Sequence, residues 1–272
     1  MSTGRMICHY CGFEYNVPRL CPSCGSKYIK YFGAGTEKIE QDIKKLFPQA
    51  RVLRMDMDTT RKKGEHERIY NEFKEGKGDI LIGTQMISKG MDFKNVTLVG
   101  IIAADTILNL PDFRAAERTF QLITQVAGRA GRGGIAGSVI AQTYDPDHYS
   151  IAYAARQDYE GFFKKEIEIR KGLNNPPFSD IIYVVLYSEK EAELIQICGS
   201  LKCQLQKLEN EYVEMLGPAP CHISRIKNSY RWHLSFKGKV LGLFHEIDSL
   251  IYQALGGSSV RYNIYKNPYN MF

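Results

Sequence analysis

No stretch of this sequence is long and apolar enough to cross a bilayer, which sets aside a membrane-spanning helix and a membrane partner. The opening residues, MSTGRMICHYCG, lack the uncharged apolar core of an export signal, so a cytoplasmic protein is expected. There is no internal repeat and no low-complexity tract, which excludes a solenoid and a disordered linker. A P-loop of the form G-x-x-x-x-G-K-[ST] is also missing: GAGTEK at 33–38 lacks the spacing, and there is no DEAH-like acidic box to hold a metal and an attacking water. Charge of one sign is not in large excess. The formal net charge of +6 and a pI near 8.8 tilt the chain mildly toward anionic partners.

What is present begins with seven cysteines in two groups. Cys198, Cys203 and Cys221 lie among apolar residues and read as buried thiols in a reducing compartment. Cys8, Cys11, Cys21 and Cys24 form two C-x-x-C knuckles, each followed by glycine, a turn that brings two thiolates onto one tetrahedral zinc. The competing reading is a redox pair or chance clustering.

Along the chain, helical stretches (GTEKIEQDIKKLFP, KGEHERIYNEFKEGK, DFRAAERTFQLITQVAGRA) alternate with apolar strands (ARVLRMD, DILIGT, NVTLVGIIAAD, GSVIAQTY). Nearly continuous Val/Ile/Leu strands separated by helices predict an α/β unit, its parallel sheet covered on both faces. Phe113, Ala116, Phe120, Ile123 and Ala127 fall on one face of the third helix. Residues 149–175 are helical and charged, and NNPPF at 174–178 breaks the chain. Beyond it the order reads strand (181–187), helix (189–208), strand, hairpin strand (231–236), helix (240–255), strand (260–265). That is a small βαββαβ-like α+β domain. Leu194, Cys198, Leu201, Leu205 and Leu208 form the buried stripe of its first helix.

Two stretches carry chemistry. GTQMISKGMDF (83–93) follows an apolar strand directly, where ligands of parallel sheets bind. Its Thr84, Gln85, Lys89, Gly90 and Asp92 suit phosphate and ribose oxygens, although a solvated loop of turn residues would look similar. QVAGRAGRGG (125–134) places Arg129 and Arg132 three residues apart among glycines. A planar, permanently charged guanidinium fits a transferring phosphoryl group, whereas at a helix C-terminus the same pair would only favour the dipole, with Gly131 as cap.

Taken together, ILIGTQMISKGMDFKNVTLVGIIAAD and DFRAAERTFQLITQVAGRAGRG resemble motifs V and VI of superfamily 2 helicases. With the knuckles, with GTEKIEQDIKKLFP and RMDMDTT before them, and with LGPAPCHISRIKNSYRWHLSFK after them, the chain is similar throughout to the replication-restart (primosomal) helicases. The resemblance implies a RecA-like second helicase lobe at 31–148, a partial Cys-rich zinc insertion at 1–30, a helical linker at 149–175 and an α+β domain at 176–272. It implies that Arg129 and Arg132 reach ATP phosphates across a cleft, that Gln125 opens motif VI, and that Thr84, Gln85, Gly90 and Asp92 couple nucleotide to the strand, with Lys89 on the DNA side. Asp56, Asp58 and Thr59 match a segment read as structural, as turn and cap residues. Family members keep the P-loop and acidic box on a first lobe, together with amino-terminal DNA-binding domains. ATP and Mg therefore belong to the intact enzyme, and this chain alone is expected to be inactive. The family also carries four cysteine pairs interleaved on two zincs, with Cys8/Cys11 and Cys21/Cys24 belonging to different ions, so the pairing and occupancy of these four stay open.

The last domain carries a nucleic-acid signal. From Met215 to His245 there is no Asp or Glu, while Arg225, Lys227, Arg231, Lys237 and Lys239 fall there. Tyr230 and Trp232 flank Arg231, a pattern suited to stacking bases. Strand alternation instead places Trp232, Leu234 and Phe236 in the core, with Arg231, His233 and Lys237 on a solvated face, and this is the favoured reading. Two functions follow. One is part of an ATP-dependent 3′-to-5′ DNA helicase acting at forks and single-stranded/duplex junctions, with other primosome proteins and a replicative helicase loader as partners. The other is a non-enzymatic zinc-knuckle module binding nucleic acid or a protein partner.

Overall fold

A computed structural model describes residues 5–7, 14–16, 20, 25–27, 35–84, 87, 91, 93, 95–131 and 136–271. The chain forms two compact units. One comprises Ile29–Leu110 and Ala115–Phe162, the other Met1–Tyr28, Pro111–Arg114 and Phe163–Phe272. The divide falls at Phe162/Phe163, inside the expected 149–175 linker; Met1–Tyr28, expected as a separate insertion, and Pro111–Arg114, inside the lobe sequence, both group with the carboxy-terminal unit. No helix among the described residues is long and apolar enough to cross a membrane.

The first elements are β1 (Arg5–Ile7) and β2 (Glu14–Asn16), an antiparallel pair with Ile7 opposite Glu14. The lobe follows as α1 (Thr36–Leu46), β3 (Val52–Met55), α2 (Glu65–Lys74), β4 (Ile80–Gly83), β5 (Leu98–Ile101), α3 (Asp105–Leu108), α4 (Ala115–Ala127), β6 (Ser138–Ala141) and α5 (Tyr149–Ala155). All four of its strands pair in parallel, β3 with β4 and β5 with β6. Among the described residues they make two separate ladders rather than the single doubly covered sheet expected. Each strand is four residues long and bonded on one side, and the second pair leaves Leu98 and Ile140 more than half exposed.

Two apolar clusters hold the lobe. Met55, Ile69 and Met91 form one, with Leu53, Tyr70, Leu81, Ile87 and Phe93 against it. The other joins Ile101, Ala104, Phe120 and Ile123 to Ile151, Ala154 and Phe162. The start of the predicted linker is thus part of the lobe core: α5 and the first turn of α6 (Tyr159–Gly172) complete that cluster, with Phe120 and Phe162 stacked at 4.2 Å.

Asp56 is the turn residue that its sequence suggests. Its carboxylate accepts from the backbone N–H groups of Asp58 and Thr59 and from Thr36 Oγ1, while Arg54 Nε lies 3.1 Å away. Burial alone would raise the Asp56 carboxyl, but these donors and Arg54 hold it below its ordinary value. Asp105, which opens α3, behaves alike. Burial pushes it up, and hydrogen bonds from Thr143 Oγ1 (2.7 Å) and the Tyr144 amide (3.0 Å) carry it below.

The carboxy-terminal fold is β7 (Asp180–Ser188), α7 (Glu191–Leu205), β8 (Val213–Ile226), β9 (Ser229–Gly238), α8 (Phe244–Ala254) and β10 (Arg261–Lys266). The strand–helix–strand–strand–helix–strand order read from the sequence is present. The sheet runs β10-β7-β9-β8 with every neighbour antiparallel, a split βαβ arrangement. Leu194, Cys198, Leu201 and Leu205 of α7 pack with Ile247 and Ile251 of α8 onto Ile182, Val184, Leu186, Leu234 and Phe236.

Trp232 packs on this same helix-covered face, as alternation with Leu234 and Phe236 requires. The opposite face is not the solvated surface expected. Ile181, Tyr183, Val185 and Cys221 are buried there under Phe113 and Met271, and His233 lies 5.3 Å from the Tyr183 ring. Burial raises the Tyr183 phenol and the Cys221 thiol and lowers the His233 imidazole. Cys198 and Cys221 are buried as expected; Cys203 is exposed, because it falls on the side of α7 away from the Leu194–Leu205 stripe.

Candidate functional site

Within the lobe, the 83–93 stretch is anchored by its apolar positions. Gly83 ends β4 where a Cβ would run into the Met55 carbonyl oxygen and the Ile87 side chain, so only glycine lets the two strands lie this close. The Ile87 N–H then closes a turn onto the Thr84 carbonyl at 3.1 Å. Met91 is buried beside Met55 and Ile69, and Phe93 packs edge-on to Phe73 at 4.8 Å and tilted to Tyr70 at 5.3 Å. These side chains pin the loop, leaving Thr84 exposed at the strand end.

Helix α4 delivers the arginine. Ala115, Thr119, Phe120 and Ile123 form its buried side, and Gln125 is exposed one turn before Arg129. After Ala127 the backbone tightens: the Arg129 N–H bonds the Val126 carbonyl and the Ala130 N–H bonds the Ala127 carbonyl. Gly131 then adopts a left-handed φ of 78°, and its N–H donates to Val96 at 3.0 Å. Arg129 Nη1 donates to the Met91 carbonyl oxygen. A guanidinium from the end of α4 therefore holds the backbone of the 83–93 loop, and the two stretches singled out by sequence meet at that bond.

Gln85, Lys89, Gly90, Asp92 and Arg132 lie outside the described residues, as do Cys8, Cys11, Cys21 and Cys24. Among the described residues no group of three or more His, Cys, Asp or Glu could hold a metal ion.

The basic residues of the other unit gather at the β8–β9 hairpin. Lys227 and Asn228 are its two turn residues, both at positive φ (45° and 67°), between the opposed pair Ile226 and Ser229. Arg225 Nη2 donates to Asn228 Oδ1 at 3.1 Å, and its guanidinium lies 4.8 Å from the Tyr230 ring centroid. Arg231 Nη1 reaches the Ile223 carbonyl at 3.3 Å. Lys227 is exposed at the tip, while Arg225 and Arg231 are partly covered.

Sequence reasoning missed two participants. The Met91 carbonyl is a backbone acceptor and carries no residue-type signal. Phe113 is expected on the buried side of the motif VI helix, but α4 begins at Ala115 and Phe113 packs with the other unit. The Asp112 carboxylate accepts from the Arg114 N–H at 2.9 Å, a local turn that holds these residues out of the helix.

Comparison with known proteins sets these stretches in context. Residues 26–134 match the family described as helicase conserved C-terminal domain, and residues 171–267 match the primosomal protein N C-terminal domain. The replication restart protein PriA of Bacillus subtilis (strain 168) is 53% identical over 189 residues, 70% of this chain and 24% of its own. That of Synechocystis sp. is 44% identical over 230 residues, 85% of this chain and 28% of its own. That of Borreliella burgdorferi is 38% identical over 243 residues, covering 89% and 36%. The chain thus spans about a quarter to a third of the length of the relatives it matches.

Proposed function

Because the chain belongs to the PriA family of replication restart proteins, we propose that it supplies one wall of the nucleotide pocket of an ATP-dependent 3′-to-5′ DNA helicase. The observation that carries this reading is the bond from the Arg129 guanidinium to the Met91 carbonyl. It joins the helix that bears the phosphate-seeking arginines to the loop that would contact the DNA strand. Nucleotide arrival at the arginine is thereby felt as a pull or release on the loop.

In this reading Arg129 and Arg132 neutralise charge developing on the γ-phosphoryl group, a contribution of about three to five orders of magnitude in rate. Thr84, Gln85, Gly90, Asp92 and Gln125 are assigned the role of coupling nucleotide to the DNA strand, and Lys89 that of a DNA contact. The phosphate cradle and Mg belong to a separate lobe that has no counterpart in this sequence, so the chain by itself hydrolyses no ATP. DNA at forks and single-stranded/duplex junctions is the substrate class, with Arg225, Lys227 and Arg231 offering a second, backbone-directed contact. Other primosome proteins and a replicative helicase loader are the expected protein partners. Cys8, Cys11, Cys21 and Cys24 are proposed zinc ligands on the strength of their paired C-x-x-C spacing.

The test is reconstitution. An ATP-binding lobe from a full-length relative, added to this chain with forked DNA, should restore ATP hydrolysis, and Arg129→Ala should abolish it. Restored hydrolysis that is indifferent to Arg129→Ala would make the arginines helix-end residues and leave the chain as a binding module.

A further inference from the structure

Helix α4 ends in a turn that the rest of the lobe grips at three places. The Arg129 guanidinium reaches the Met91 carbonyl, and the Gly131 N–H donates to the Val96 carbonyl at 3.0 Å. The next carbonyl along, that of Thr97, accepts from the Ser138 N–H at 2.8 Å and starts the β5–β6 ladder. Val96 and Thr97 thus receive both the exit of α4 and the entry of β6. The third grip is a contact between backbones. A Cβ built on Gly137 would stand 2.5 Å from the Ala130 carbonyl carbon and 2.7 Å from the Ala130 Cβ, and nearer still to the Gly131 nitrogen.

Two of those three atoms are main chain and cannot rotate aside. Ordinary van der Waals contact begins near 3.4 Å, so any side chain at position 137 must move β6 and the 130–131 turn apart by about 1 Å. The φ of Gly137 is not in the left-handed region, so the demand for glycine is one of space alone. Nor is it a general demand of this ladder. Gly100, opposite Ile140, is open, and a Cβ there meets nothing within 4 Å. Core packing does not explain the close approach either, because Ser138, Val139 and Ile140 of β6 are all exposed. What the contact does fix is the turn that follows Arg129. Gly131 and Gly137 also bracket Arg132 in sequence, so the same contact closes the neck of the segment that carries it.

We propose that Gly137 is a positioning residue for ATP hydrolysis: its lack of a side chain lets β6 seat the turn at the end of α4, and with it the two motif VI arginines, where they meet the nucleotide. The inference rests on the nucleotide-pocket reading of Arg129 and Arg132. Its physical content is that a helix end needs only the Gly131 cap, whereas this one is also held by the entry of the following strand at a separation that any Cβ would break.

The experiment uses a full-length chimera in which this chain replaces the matching region of the Bacillus subtilis relative, assayed for DNA-stimulated ATP hydrolysis. Gly137→Ala is expected to lower kcat about ten- to hundred-fold, the penalty typical of a catalytic group displaced by about 1 Å, with KM for ATP unchanged. Gly100→Ala should leave both constants at their wild-type values. Arg129→Lys keeps the charge but not the planar fork. Adding Gly137→Ala to it should therefore lower kcat by a smaller factor than in the wild type, since part of what the displacement disturbs is already gone. A glycine needed for folding alone would lower both backgrounds by the same factor. A folded Gly137→Ala chimera with wild-type kcat, or equal losses in the two backgrounds, overturns the inference. Should that variant fail to fold, Ala130→Val presses on the same contact from the side of the turn and is read by the same two comparisons. If Arg129→Ala leaves hydrolysis intact, the nucleotide-pocket reading fails and this inference with it. If Arg129→Ala abolishes hydrolysis while Gly137→Ala is silent, that reading stands and the positioning role alone falls.

Discussion

Replacing Arg129 with alanine removes one charged donor and leaves the Met91 carbonyl without it. A hydrogen bond to a charged group contributes about 1.5–3 kcal/mol, and here it joins two segments that sit 38 residues apart in the chain. The loss acts on the loop first. Met91 stays buried against Met55 and Ile69, so the apolar anchor remains while the polar one is gone. A weakening of about 2 kcal/mol corresponds to a roughly thirty-fold rise in the open population of the 83–97 segment. Hydrogen exchange measured by mass spectrometry on this chain without nucleotide reads that quantity directly. Peptides covering 84–97 should exchange faster in Arg129→Ala, while α7 keeps its wild-type protection. Arg129→Lys should restore part of the protection, because an ammonium can still donate to one carbonyl. Unchanged exchange over 84–97 would show that Met91 is held by its side chain alone, and the coupling of the two motifs through this bond would have to be abandoned even if ATP hydrolysis fell.

Three further outcomes are expected. Leu201→Ala, at a fully buried position of α7, should lower the unfolding free energy by about 3–5 kcal/mol, whereas Ile195→Ala, on the same helix but 47% exposed, should change it by less than about 0.5 kcal/mol; urea melts of both variants compare them. Hydrogen bonds hold the folded Asp105 carboxyl below its ordinary value, so its stabilisation is complete above that ordinary value and is lost as pH falls through the lower, folded pKa; Asp105→Asn should be less stable than wild type at pH 7 and should flatten the acid limb of a thermal-denaturation profile, and an unaltered limb would refute the assignment. Burial pushes the Cys198 thiol up to about 12, which leaves about one thiolate in ten thousand at pH 8, so iodoacetamide with peptide mapping should label exposed Cys203 and spare Cys198.

Element order is readable because the two hydrophobic periods are distinct. Leu194, Cys198, Leu201 and Leu205 recur at helical spacing, and all four are buried in α7. Trp232, Leu234 and Phe236 alternate, and all three pack on the helix-covered face. Of the candidate site, the meeting of the 83–93 loop with Arg129 follows from residue types that suit phosphate at the end of an apolar strand. The atom that joins them is not readable, since every residue has a carbonyl and sequence does not say which one an arginine will choose.

The mistaken solvated face on the carboxy-terminal sheet is the instructive case. That expectation rests on β9, where polar Arg231, His233 and Lys237 alternate with Trp232, Leu234 and Phe236. Its neighbour β7 carries the contrary signal. IIYVVLY is apolar at both odd and even positions, and Ile181 through Leu186 are all buried. A central strand without alternation needs cover on both sides, because either face left in water would expose an unbroken row of Ile, Tyr and Val. The helices α7 and α8 account for only one side. The other requires an apolar residue from elsewhere in the chain, and Phe113 supplies it, 68 positions before Ile181. An unbroken strand beside an alternating one is therefore a sequence-level sign that a remote segment docks there. In this chain that segment is the four-residue run Pro111–Arg114, which groups with the carboxy-terminal fold although the residues on either side of it in sequence belong to the lobe.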